Sequence, residues 1–293
     1  MKLKDRLFKQ GVEAASKVCG TIDTYICPLC GNNFQETHLQ TGDLTLEHVP
    51  PQSENGKVII LTCKKCNNFT GHSIDAQNAK QQSLNNFLLT SFGKKTGHAG
   101  RAVIELNNDK LNVDISNDGE EMKVVAVPGC NNPESVKKFI QHLKHMSREE
   151  NTSNLKFKVT ARAKYHKKQS EISDLKSAFL ICAATFGYRF ALSTSLIKVR
   201  KQILDPDNTH IPDWYFSSEM SQGSANHIYV VNEKNIVLVV FGNTNKKIAL
   251  PWCSNSIDDF SLFSEHIRSG NKVTLNYTEA DWPQSFEARL DHA

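Results

Sequence analysis

The sequence has no long hydrophobic run. Nothing in its 293 residues approaches the ~20 consecutive apolar residues that span a bilayer. The N-terminal MKLKDRLFKQGVEAASK is basic but lacks the apolar centre of a secretory signal. These absences predict a cytoplasmic chain with no membrane partner. Internal repeats, low-complexity segments and glycine-rich phosphate-binding signatures are missing too, which sets aside solenoids and the common nucleotide-binding frames. Disulfides are not needed: with 39% hydrophobic and 23% charged residues, a chain of this length buries an ordinary core. Its eight cysteines therefore call for another explanation.

Charge is present but unevenly spread. The net +4 resolves into +3 over residues 1–100, −4 over 101–136, +11 over 137–201 and −6 over 202–293. A 65-residue segment carrying 15 Lys+Arg against 4 Asp+Glu is the pattern of a polyanion-binding surface.

Periodicity predicts an α+β chain. Leu3, Leu7, Phe8, Val12, Ala15 and Val18 recur at helical spacing, so residues 3–18 read as an amphipathic helix. Short strands are expected at 44–48 and 57–62, and a helix from Cys66 to about Phe87. The stretch SFGKKTGHAGR, 91–101, interrupts every period and reads as a linker between residues 1–90 and a larger mixed domain, 102–293, with antiparallel strands. In that second part RAVIEL, KLNVDI and MKVVAV suggest a three-stranded meander, and Pro133 opens a helix. LKFKVTARAKY reads as a strand with Lys156, Lys158, Arg162 and Lys164 on one face. SDLKSAFLICAATFGYRF is the most apolar helix; STSLIKVRKQIL is a second, and HIYVV, IVLVVF, KKIALPW and KVTLNY are strands.

The cysteines separate by spacing. Cys19, Cys130, Cys182 and Cys253 are isolated and read as small buried apolar residues. Cys27-x2-Cys30 and Cys63-x2-Cys66 form two tight turns able to close a four-thiolate Zn²⁺ site. Such a site has no open coordination position, so this zinc is structural. Residues 20–90 carry few large apolar side chains, which suggests that the metal replaces a core there.

What lies inside this frame carries chemistry. The order Cys-x2-Cys, Glu47-His48-Val49-x-Pro51, Leu61-Thr62-Cys63-x2-Cys66-Asn67-Asn68, Gly71-x2-Ile74-Asp75 resembles an HNH endonuclease domain over residues 25–80, about a fifth of the chain. The resemblance implies a small zinc-stapled ββα-metal fold. It also implies that His48 is the general base, that Glu47 and Asn67 bind a catalytic Mg²⁺ or Mn²⁺, and that Asn55, in the inter-strand loop, steadies the histidine. Val58 lies near the same loop position. Asp75 reads as a helix-surface or capping residue and His72 as exposed.

Three functions follow as expectations. The first is a metal-dependent endonuclease acting on DNA, in the restriction or anti-phage setting common to such nucleases, with a homodimer or a partner protein of that system. Lys64, Lys65, Lys156, Lys158, Arg162 and Lys164 are its candidate nucleic-acid contacts. The second is a zinc-containing module that binds nucleic acid without cutting it. The third is a toxin acting on RNA, since none of the implied residues reads the sugar.

Overall fold

Two hydrophobic cores divide the chain, and they do not follow its linear order. The computed structural model describes all residues except 107–108, 147–157, 161–163, 218–224, 243–245, 253–256, 270–274 and 287–293. One unit is built from Met1–Asn78 and His166–Ala293; the other, Ala79–Tyr165, is inserted between these two parts.

The first unit begins with α1 (Leu3–Cys19), which ends at Gly20 in the left-handed conformation. Its Leu7, Phe8 and Ala15 are buried, as the helical period predicted. Strands β1 (Tyr25–Ile26) and β2 (Asn33–Phe34) pair antiparallel around the first cysteine turn, and the short α2 (Thr37–Thr41) follows. Strands β3 (Leu44–Val49) and β4 (Lys57–Cys63) form a hairpin. Its turn requires a glycine: a Cβ on Gly56 would lie 1.5 Å from the Pro50 carbonyl oxygen. α3 (Lys64–Thr70) runs through a single π turn, Gly71–Asp75, into α4 (Ala76–Ser91).

The division between the units falls after Asn78, inside α4, rather than at the 91–101 linker expected from the sequence. Part of that stretch is strand: β5 (Gly97–Leu106) pairs with β6 (Asp109–Asn117), and the glycines serve a register irregularity between His98 and Gly100. With β7 (Met122–Ala126), α5 (Pro133–Met146) and β8 (Lys158–Thr160), the second unit forms a sheet of order β7-β6-β5-β8. Phe139 of α5 joins Phe87, Ile104, Leu111, Val113 and Ile115 in its core. The expected meander and the proline-initiated helix are both present.

The chain then re-enters the first unit. α6 (Lys167–Phe186), α7 (Tyr188–Ala191) and α8 (Ile197–Leu204) are followed by β9 (Tyr215–Ser217), β10 (His227–Val231), β11 (Ile236–Phe241), β12 (Lys246–Pro251), α9 (Ile257–Arg268) and β13 (Thr278–Ala280). The five strands form one antiparallel sheet, β13-β10-β11-β12-β9. The last strand lies just beyond the KVTLNY segment, of which residues 272–274 are outside the described residues. From Ile172 to Phe186, α6 is buried on all sides. Its Leu175, Phe179 and Cys182 belong to one core with Leu7, Tyr25, Leu29, Leu44, Ile60 and Leu61. The hairpin with its cysteine turns therefore has a core, supplied by residues more than a hundred positions away, and zinc does not replace one. The architecture is α+β. Among the described residues, no helix is long and apolar enough to cross a membrane.

Candidate zinc-stapled site

The four paired cysteines come together at the junction of β1, β4 and α3. In the first turn Gly31 N–H donates to Cys27 O at 2.8 Å, with Gly31 in the left-handed region (φ 76°). In the second, Cys63 caps α3, its sulfur accepting from the Cys66 N–H at 3.4 Å, while its own N–H donates to Cys27 Sγ at 3.4 Å. All four sulfurs lie within 4.8 Å of one another. The Cys30–Cys63 sulfur separation is 3.8 Å, and a tetrahedron with Zn–S of about 2.3 Å has edges of roughly 3.8 Å. The set fits a structural zinc.

The surroundings of the cluster suit its charge. Crowding splits the thiols: contact with Cys27 draws Cys30 below the ordinary range, while Cys27 and Cys66 are pushed up. Arg200 of α8 stands beside the first turn, its Nη1 3.6 Å from where a Gly31 Cβ would be. Burial pulls this guanidinium below its ordinary value, and Cys30 and Cys27 offset only part of that. Lys64 and Lys65, both exposed, occupy the first turn of α3. Of the isolated cysteines, Cys182 is buried as expected. Cys19, the last residue of α1, and Cys130, in the bend after β7, are instead exposed, and Cys253 is outside the described residues.

Successive residues of a strand point to opposite faces, so Glu47, buried, and His48, half-buried, lie on opposite sides of β3. Pairing is regular up to Glu47–Ile60 and then skips Ile59, so that His48 faces Val58. Asn55 sits in the hairpin turn, exposed and left-handed (φ 61°), and the residue across from the histidine is Val58. The His48 imidazole makes no hydrogen bond or ion pair among the described residues. Asn67 is bound to β3: its Nδ2 donates to Thr45 Oγ1 at 2.9 Å and to Leu46 O at 3.3 Å, leaving Oδ1 without a partner among the described residues. Thr45 lies on the same strand face as Glu47, so Asn67 is brought to the acid's side of the hairpin and not to the histidine's.

Glu47 itself is only 4% exposed and fully engaged. Oε1 accepts from Lys176 Nζ at 2.9 Å and Oε2 from Thr62 Oγ1 at 2.8 Å. Lys176, on α6, also donates to Asp75 Oδ2 at 2.5 Å and reaches Thr70 Oγ1 at 3.4 Å, while Asp75 Oδ1 accepts from Ser173 Oγ at 2.6 Å. Burial alone would pull the Lys176 ammonium down, but Glu47 and Asp75 together hold it above the ordinary lysine value. Asp75 is thus an ion-pair partner, not the surface or capping residue its place after Gly71 suggested. Spacing could not have found Lys176. The available signal was a lysine inside the most apolar helix, where a buried charge has to be paired.

As arranged, Glu47 does not fit a divalent cation, since both its oxygens are committed and an ammonium already stands against it. Among the described residues, the four cysteines are the one group of three or more His, Cys, Asp or Glu side chains close enough to hold a metal. Of the remaining candidate contacts, Lys158 and Lys164 are exposed in the second unit, and Lys156 and Arg162 lie outside the described residues. The +11 segment is shared between the two units, so it does not form a tract of one fold. Comparison with protein-family models, with curated proteins and with solved structures returns no match for this chain.

Proposed function

We propose that the chain is an HNH-type endonuclease that hydrolyses phosphodiester bonds in DNA, with His48 as its general base. One observation carries this reading: β3, β4 and α3, clamped by four convergent cysteines, present an imidazole with no partner among the described residues one position from a buried acid. The imidazole accepts a proton from the attacking water as the O–P bond forms. The 3′ oxygen departs and is protonated from solvent, which leaves 5′-phosphate and 3′-hydroxyl ends. Mg²⁺ or Mn²⁺ would supply charge neutralisation at the phosphate. Lys64 and Lys65, exposed beside the cluster, suit a phosphate backbone. Restriction or anti-phage defence, with a second copy or a partner protein, is the setting that goes with this activity.

The test is incubation of the zinc-loaded protein with supercoiled plasmid and with RNA, each in Mg²⁺, Mn²⁺ or EDTA. Nicked or linear plasmid in the metal arms supports the proposal. Cleavage of RNA alone assigns the activity to an RNase. Salt-sensitive DNA binding without cleavage assigns the second reading, a non-catalytic zinc-containing module, which the engagement of Glu47 by Lys176 favours.

A further inference from the structure

We propose that Lys176 is the permanent cation of this site: Glu47 serves as its counter-ion and is not a ligand for a divalent metal, and Lys176 is a positioning residue that fixes β3 beneath His48. The inference rests on the nuclease reading for its meaning but on geometry for its support. Lys176 is 1% exposed and lies between two carboxylates, Glu47 at 2.9 Å and Asp75 at 2.5 Å. These come from different elements, β3 and the π turn after α3, so one ammonium ties the strand and the helix of the ββα unit to α6.

The same device recurs at the other end of the hairpin. Glu54, in the turn after β3, pairs with Lys246 of β12 at 3.1 Å, and Lys246 pairs with Asp174 of α6 at 2.7 Å. Both acids of the hairpin are therefore held by buried lysines, and α6 contributes to both ties. Replacing Lys176 by a metal at Glu47 would require moving a buried ammonium off two carboxylates and a threonine hydroxyl. Removing one partner of a buried pair leaves an uncompensated charge, which disfavours the exchange. A cation that acts at this site then arrives with the phosphate and its own water shell, as Mg²⁺ commonly does.

Mn²⁺ titration of the zinc-loaded protein, followed by the loss of the free-ion electron paramagnetic resonance signal, tests this directly. Wild type and Glu47→Gln should bind Mn²⁺ within about twofold of each other, whereas a weakening of about tenfold or more in Glu47→Gln would overturn the assignment. A second measurement uses the wild type alone. Slowly exchanging ammonium groups are visible by nitrogen NMR, and the Lys176 signal should keep its position in excess Mg²⁺; its loss or displacement by Mg²⁺ in the absence of DNA overturns the proposal. Neither readout depends on cleavage. Failure of the plasmid assay would therefore discard the nuclease reading alone, and Glu47-dependent Mn²⁺ binding would discard this inference alone.

Discussion

Lys246 Nζ stands 2.7 Å from Asp174 Oδ1, yet the other oxygen of the aspartate, Oδ2, is buried without a hydrogen-bond partner among the described residues. Burial outweighs the pairing, and the Asp174 carboxyl is pushed up to about 7. In the unfolded chain it titrates near ~3.9. Between those values the folded state holds a proton that the unfolded state has lost, so this group's contribution is fully present below pH ~4 and is lost as pH rises to about 7. Thermal melts across that window should show wild type losing stability relative to Asp174→Asn as pH rises. A difference independent of pH would mean that Asp174 is ionised throughout.

Removing a zinc ligand should loosen the hairpin without unfolding the whole first unit. Structural zinc contributes about 10–16 kcal/mol in isolated finger peptides. Here the hairpin also packs on α6, in the same core as the five-stranded sheet. Cys63→Ser should lose about one bound zinc per chain by elemental analysis, since a site with three thiolates binds far more weakly. Most far-UV circular dichroism should remain. Complete loss of structure would show that the metal, and not α6, holds the unit together.

His48→Ala should abolish plasmid cleavage, by about 10²-fold or more, with zinc content and melting temperature unchanged. The second half of that expectation follows from position: a half-buried imidazole with no partner among the described residues contributes little to stability. Cleavage that survives the substitution would move the chemistry to another residue.

Lys64 and Lys65 should act through phosphates. Both are exposed, and each phosphate contact changes the logarithmic salt dependence of DNA binding by about 0.9. The double alanine variant should therefore flatten that slope by roughly 2, with similar losses on unrelated sequences. An unchanged slope would exclude this face from the interface.

How much of this was legible in the sequence depended on the range of each interaction. The cysteine turns, the hairpin and the helix after Cys66 follow from spacing within about fifty residues, and the structure brings the four sulfurs together as that spacing required. The 91–101 boundary misread glycines that serve a strand irregularity. The partner of Glu47 was illegible because Lys176 is 129 positions away, beyond an entire inserted unit. Its one local trace was a charge in an apolar helix. Asp75 was misjudged for the same reason, since only the packing of α6 makes it an ion-pair partner rather than a surface residue.

That long-range pairing yields the most exacting stability prediction. Lys176→Met keeps the length and apolar stem of the side chain, so the packing of α6 changes little, but it leaves Glu47 and Asp75 without their shared cation. Breaking a buried pair by removing one member costs about 3–5 kcal/mol, and urea unfolding should report a loss of that order. Adding Glu47→Gln to Lys176→Met removes one of the two stranded charges while keeping an acceptor for Thr62 Oγ1, which donates to Glu47 Oε2 at 2.8 Å. The double variant should therefore be more stable than Lys176→Met alone, a non-additivity expected of residues in direct contact. If the two losses simply add, Glu47 and Lys176 are not coupled, and α6 is held to the hairpin by its apolar contacts alone.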